Sequence, residues 1–165
     1  MVSHASNRES EEAWSEARRR MTHPHSEQRK VLVIDDDPAV VATLADGLQL
    51  VGDYDVIIAS DGAEGLHRFY ASLPDCVVVD VRMPRLNGYQ FVRAMRGDPE
   101  TAEIPIIILS ALVQDHEQLA GFLSGADVYL LKPVEITELM AAIDTAINRS
   151  AEQRAEQMRL LAEES

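Results

Sequence analysis

The chain is short of cysteine, of long apolar stretches and of positive charge, and each shortage closes off a class of protein. Its single cysteine, Cys76, excludes an intramolecular disulfide and any Cys-rich metal site. No uninterrupted apolar run exceeds five residues, against the roughly 20 needed to cross a bilayer. The opening residues, with Glu9, Glu11 and Glu12 ahead of any apolar stretch, lack the form of a secretory signal. The expectation is a soluble, cytoplasmic protein without membrane association. Lys and Arg number 15 against 28 Asp and Glu, for a net charge of -13. Residues 31–150 carry seven bases and nineteen acids. That surplus repels phosphate backbones and argues against direct nucleic-acid contact. It also directs attention to clustered carboxylates held by a cation.

What remains is an ordinary globular balance, 46% hydrophobic and 26% charged over 165 residues, enough for one domain with tails. Residues 1–29 are polar, with one Trp and scattered charge, and are expected to form a mobile extension. From Lys30 the pattern becomes short β-branched runs alternating with helical periodicity. Val31–Ile34, Val56–Ile58, Cys76–Val79, Ile106–Leu109 and Val128–Leu131 read as strands buried on both faces. Helical patterns follow Pro38, Asp61-Gly62 and Asn87-Gly88, then occupy about Asp115–Leu123, and the last starts near Glu135. Strands alternating with helices imply an α/β fold, a five-stranded parallel sheet with helices on both faces. No internal repeat is present. The last helix has no Gly or Pro to stop it before about Ala162, so it is expected to run on through 150–165 as a helical extension or linker.

In such sheets ligands bind beyond the carboxyl ends of the strands. The first strand ends at Asp35-Asp36-Asp37, the third at Asp80, the fourth at Ser110, and Lys132 follows the fifth. Gathering Asp35, Asp36 and Asp80 is costly unless a cation offsets their repulsion. All-oxygen ligation selects Mg2+, with Mn2+ as a substitute. Lys132 supplies a point charge for an anion and Ser110 a hydroxyl donor. Together they read as a site for a phosphoryl group beside magnesium, with a carboxylate as acceptor.

Four blocks carry a resemblance: Val31–Pro38, Val78–Pro84 with Asn87-Gly88, Ile108–Ala111 and Tyr129–Pro133. In this order, with intervals of 44, 30 and 22 residues between Asp36, Asp80, Ser110 and Lys132, residues 30–149 resemble the receiver domain of two-component response regulators, of the chemotaxis-receiver type. The resemblance implies a flavodoxin-like, doubly wound sheet of order 2-1-3-4-5. It implies Asp80 as phospho-acceptor, taking its phosphoryl group from a histidine kinase or a phosphotransfer protein. Asp36, Asp80, Asp35 through water and the carbonyl of Arg82 would hold the metal. Lys132 and Ser110 would bind phosphoryl oxygens, Ser110 and Tyr129 would switch, and Lys132-Pro133 would be a cis peptide. The face made by the helix near 115–123, the fifth strand and the final helix would contact a downstream protein or a second copy.

Arg82 and Leu112, two residues beyond Asp80 and Ser110, are long or bulky and are expected to shield an acyl phosphate from water. An aspartate-nucleophile phosphohydrolase would need a second acid where Arg82 stands. The chain is therefore read as a switch that catalyses only its own phosphorylation and dephosphorylation, not as an enzyme on outside substrates. Two further readings stay open: a degenerate receiver that only docks, and the receiver of a longer protein with an output domain. The polar extension at 1–29 favours a single-domain regulator.

Overall fold

The computed structural model describes residues 11–12, 14–15, 28–111, 125–149 and 151–164. Leu112 and the helix expected near Asp115–Leu123 lie outside them. In chain order the elements are β1 (Lys30–Ile34), α1 (Pro38–Gly52), β2 (Asp55–Ala59), α2 (Gly62–Ser72), β3 (Cys76–Asp80), α3 (Gly88–Gly97), β4 (Ile106–Ser110), β5 (Val128–Leu131), α4 (Ile136–Ile147) and α5 (Ala151–Glu163). The strands form one sheet of order β2-β1-β3-β4-β5, and every neighbouring pair is parallel. The chain leaves β1 for β2 on one side and crosses back to β3 on the other. That reversal opens a crevice beyond the ends of β1 and β3.

Side-chain alternation sorts the core into two layers. Leu32, Ile34, Val77, Val79, Ile106 and Ile108 pack on one face with Phe69 of α2 and with Phe91, Val92 and Met95 of α3. Val31, Val33, Cys76, Val78, Ile107 and Leu109 pack on the other with Leu44 and Leu48 of α1 and Leu139 and Ile143 of α4. Each fully buried aliphatic or Phe side chain contributes about 1.5–3 kcal/mol, so these layers, more than local propensity, hold the domain. The helix starts follow from their caps. Asp37 accepts from the Ala39 N–H ahead of Pro38, Asp61 accepts from the Glu64 N–H, and Asn87 and Gln90 form a reciprocal capping box. Among the described residues no helix is long and apolar enough to cross a membrane.

One expectation about the tails is corrected. The final helix is not continuous: α4 ends at Ile147 and α5 begins at Ala151. The Arg149 N–H bonds the Ala146 carbonyl at 3.3 Å, a tightened turn, while its guanidinium donates to the Asp127 carbonyl at 2.5 Å. Anchoring Arg149 on the core draws the backbone off the helical path without Gly or Pro. In the N-terminal extension, Glu11, Glu12, Trp14 and Ser15 are helical, and half-buried Trp14 packs on Phe69 with ring centroids 5.8 Å apart.

Candidate functional site: a carboxylate–lysine cluster at the strand ends

Strand alternation explains which groups meet. Asp35 continues the parity of Val31 and Val33, Asp80 that of Cys76 and Val78, and Lys132 that of Val128 and Leu130, all on the α1/α4 face. The Lys132 ammonium lies 2.6 Å from an Asp35 oxygen and 3.1 Å from an Asp80 oxygen. Asp35 and Asp80 are buried, and Asp36 beside them is exposed. The other Asp35 oxygen accepts the Asp37 N–H at 2.9 Å, which fixes its carboxylate across the turn into α1. One oxygen from each of Asp35, Asp36 and Asp80 lies within 4.8 Å of the others.

Two of the three acids share one ammonium and the third stands beside them, so the cluster carries surplus negative charge. Burial pushes the Asp80 carboxyl above the usual carboxylate range; Lys132 opposes the shift and Asp35 reinforces it. For Lys132, burial lowers the value, but the Asp35 hydrogen bond and the charges of Asp80 and Asp35 outweigh it and raise the ammonium above its ordinary value. The causes differ: burial lifts the Asp80 carboxyl, whereas the neighbouring carboxylates lift the Lys132 ammonium. Hard oxygen donors in excess of the local cation fit Mg2+, which takes one or two carboxylates and keeps several waters.

The remaining expected residues sit around this cluster in different ways. The Lys132-Pro133 peptide is cis, and the Lys132 N–H bonds the Ser110 carbonyl at 2.8 Å, which ties the lysine to the end of β4. Ser110 itself is buried, and alternation sets it with Ile106 and Ile108 on the opposite, α2/α3 face. Half-buried Tyr129 packs on that same face and pairs with Ile108, two residues before Ser110. Arg82 is exposed, two residues past Asp80. A pocket of about 520 Å3 opens beside Lys132, lined by Ala39, Val40, Thr43 and Leu44 of α1, by Leu109 and Ala111, and by Pro133 and Val134.

Two features escaped the sequence. The first is that Asp35 is the closer partner of Lys132; the shared parity of 31, 33, 35 and 128, 130, 132 is the signal that finds it. The second is the close approach of Gly88, which opens a helical pattern after Asn87. A Cβ there would stand 2.4 Å from the Asp80 carbonyl oxygen and 2.9 Å from the Val81 Cα, so only glycine lets α3 start against the end of β3. The Gly88 N–H bonds the Val81 carbonyl at 3.0 Å.

The fold and the cluster define a class first: a flavodoxin-type sheet with an acid–lysine site at its switch point. The sequence matches the response regulator receiver domain over residues 31–144, and the chain belongs to that family. It is 36% identical over 121 residues to the DNA-binding dual master transcriptional regulator RpaA of Synechocystis, covering 73% of this chain and 50% of that protein. It is 40% identical over 120 residues to the transcriptional regulatory protein PrrA of Mycobacterium tuberculosis, again 73% and 50%. Among solved structures, a putative response regulator from Chloroflexus aurantiacus superposes with a TM-score of 0.71 at 35% identity, over 74% of this chain and all of that one. The Vibrio cholerae chemotaxis protein CheY4 gives 0.68 at 29% identity, over 73% and 99%. The chain spans about half the length of the transcriptional regulators it matches.

Proposed function

We propose that this chain is a phosphorylation-dependent switch with Asp80 as the acceptor. The observation that carries the reading is the meeting of Asp35, Asp36, Asp80 and Lys132 at one rim. An Asp80 oxygen attacks the phosphorus of a phosphohistidine on a histidine kinase or phosphotransfer protein. The O–P bond forms as the P–N bond breaks, and the imidazole leaves with the electron pair and takes up a proton. Asp36, Asp80, Asp35 through water and the Arg82 carbonyl would hold Mg2+ or Mn2+, which neutralises phosphoryl charge when bound. Lys132, now on Asp35 and Asp80, follows the new anion, and the hydroxyl of Ser110 turns to another phosphoryl oxygen. Movement of Ser110 vacates space on the Tyr129 face, and the tyrosine turns inward to fill it. That biases an existing equilibrium of the surface around β5 and α4.

The domain reading proposed is a receiver at 30–149 flanked by extensions at 1–29 and 150–165, working in the cytoplasm. Its output is contact with a downstream protein or a second copy. A second reading has a specific observation behind it: the relatives RpaA and PrrA are about twice the matched length and are named as transcriptional regulators. In that setting the receiver serves a DNA-binding output, while the acidic receiver itself makes no nucleic-acid contact.

The deciding experiment is labelling with acetyl phosphate. Magnesium-dependent incorporation is expected in the parent chain and none in Asp80→Asn; incorporation without magnesium, or in the variant, rejects the acceptor assignment. Arg82 and Leu112 are proposed to lengthen the acyl-phosphate lifetime. Decay of the labelled protein should quicken in Arg82→Ala and in Leu112→Ala, and equal decay in both removes them from that role.

A further inference from the structure

We infer that the pocket beside Lys132 seats the acyl chain of a small phosphoryl donor, an acyl phosphate whose apolar body is longer than acetyl. This rests on the acceptor reading of Asp80 and adds the chemical class of a low-molecular-weight donor. The pocket measures about 520 Å3, inside the range of roughly 300–1,000 Å3 usual for small-molecule sites. Its walls are Val40 and Leu44 of α1, Leu109 and Ala111 at the end of β4, and Pro133 and Val134 after β5. Leu44 and Leu109 are buried, so the cavity ends on the packed α1/α4 layer. The Thr43 hydroxyl on its wall donates to the Ala39 carbonyl at 2.9 Å, which spends its proton inside the helix. Among the lining residues Lys132 alone is charged.

Apolar walls with one cation at one side fit an apolar body with a single anionic end. The Lys132 ammonium lies 3.1 Å from an Asp80 oxygen, so that anionic end stands against the acceptor. A simple carboxylate would meet the surplus charge of Asp35, Asp36 and Asp80 with nothing to relieve it. A phosphoryl group arrives with a divalent cation, which offsets that charge. An Asp80 oxygen then attacks phosphorus. The new O–P bond forms as the P–O bond to the acyl group breaks, and the carboxylate leaves with the electron pair, so no proton has to move. An acetyl group leaves most of the pocket to water. Each added methylene withdraws apolar surface from water, and two of them should raise the rate of transfer at low donor concentration about tenfold.

The test follows labelling of the full chain by intact-mass spectrometry, with Mg2+ and equal, subsaturating acetyl, propionyl or butyryl phosphate. The three leaving carboxylates have nearly the same basicity, so rate differences report the chain. Labelling should quicken along the series, by about tenfold from acetyl to butyryl. Thr43→Phe fills the pocket from α1 and should flatten the series, with acetyl phosphate still labelling at the parent rate. Thr43→Val, close in volume, should keep the preference. Equal rates along the series in the parent chain overturn the proposal and leave the pocket to a side chain of a protein donor. A preference that survives Thr43→Phe overturns it as well. Labelling of the parent chain by none of the three overturns the acceptor reading and this inference together, whereas labelling by all three at one rate removes this inference alone.

Discussion

At the rim where the strands begin, Arg96 in the last turn of α3 pairs with Asp127 at 3.0 Å, and the Asp127 side chain is fully buried. The guanidinium also donates to the carbonyls of Gly125, Ala102 and Ile104, and the same Asp127 oxygen accepts the Ile106 N–H at 2.9 Å. At the rim where the strands end, one ammonium serves Asp35 and Asp80, with Asp36 close by. Both rims place ionised groups out of water. The first matches one charge to one and spends its spare donors on backbone carbonyls. The second leaves a negative excess that a cation or a proton relieves. Matched charge reads as scaffold, and unmatched charge as a place where something binds.

The contrast is broken most severely at the matched rim. Arg96→Met strands the Asp127 carboxylate, and urea titration should show a loss of about 3–5 kcal/mol, the usual cost of removing one partner of a buried pair. The refolded fraction should still label at Asp80. A smaller effect is expected at the seam between α3 and the site. Gly88→Ala pushes a methyl into backbone and should cost roughly 1–3 kcal/mol, with slower acetyl phosphate labelling as the end of β3 shifts. An unchanged labelling rate would show that α3 does not position the acceptor.

The smallest effect sharpens the comparison by pH. The Asp80 carboxyl sits above its ordinary value in the folded chain, so the folded state holds that proton more tightly than the unfolded one. Stability contributed by this group is greatest at low pH and falls as pH rises through the range between the two values. With divalent cations removed, Asp80→Asn should flatten that part of the stability profile and raise the melting temperature at neutral pH. A steeper slope in the variant would mean that Lys132 wins over burial.

Much of this was legible in the sequence because the strands announce themselves. Val31–Ile34 and Ile106–Leu109 have no reading other than doubly covered strands, and the polar residues that end such runs must gather at one rim. The order β2-β1-β3-β4-β5 came with the family resemblance rather than from the pattern itself. What stayed hidden depends on partners distant in the chain. Lys132 favours Asp35 because of register and burial across the sheet. The stop after Ile147 depends on a carbonyl 22 residues earlier, and nothing near Trp14 reveals that its seat is Phe69. Gly88 was visible as a letter, but the closeness of the Asp80 carbonyl was not.

The parity that sends Asp35, Asp80 and Lys132 to one side of the slab sends Ser110 and Tyr129 to the other. The two sides meet at the rim, where the Lys132 N–H bonds the Ser110 carbonyl at 2.8 Å, so a shift of either residue is passed through one backbone contact from one side of the slab to the other.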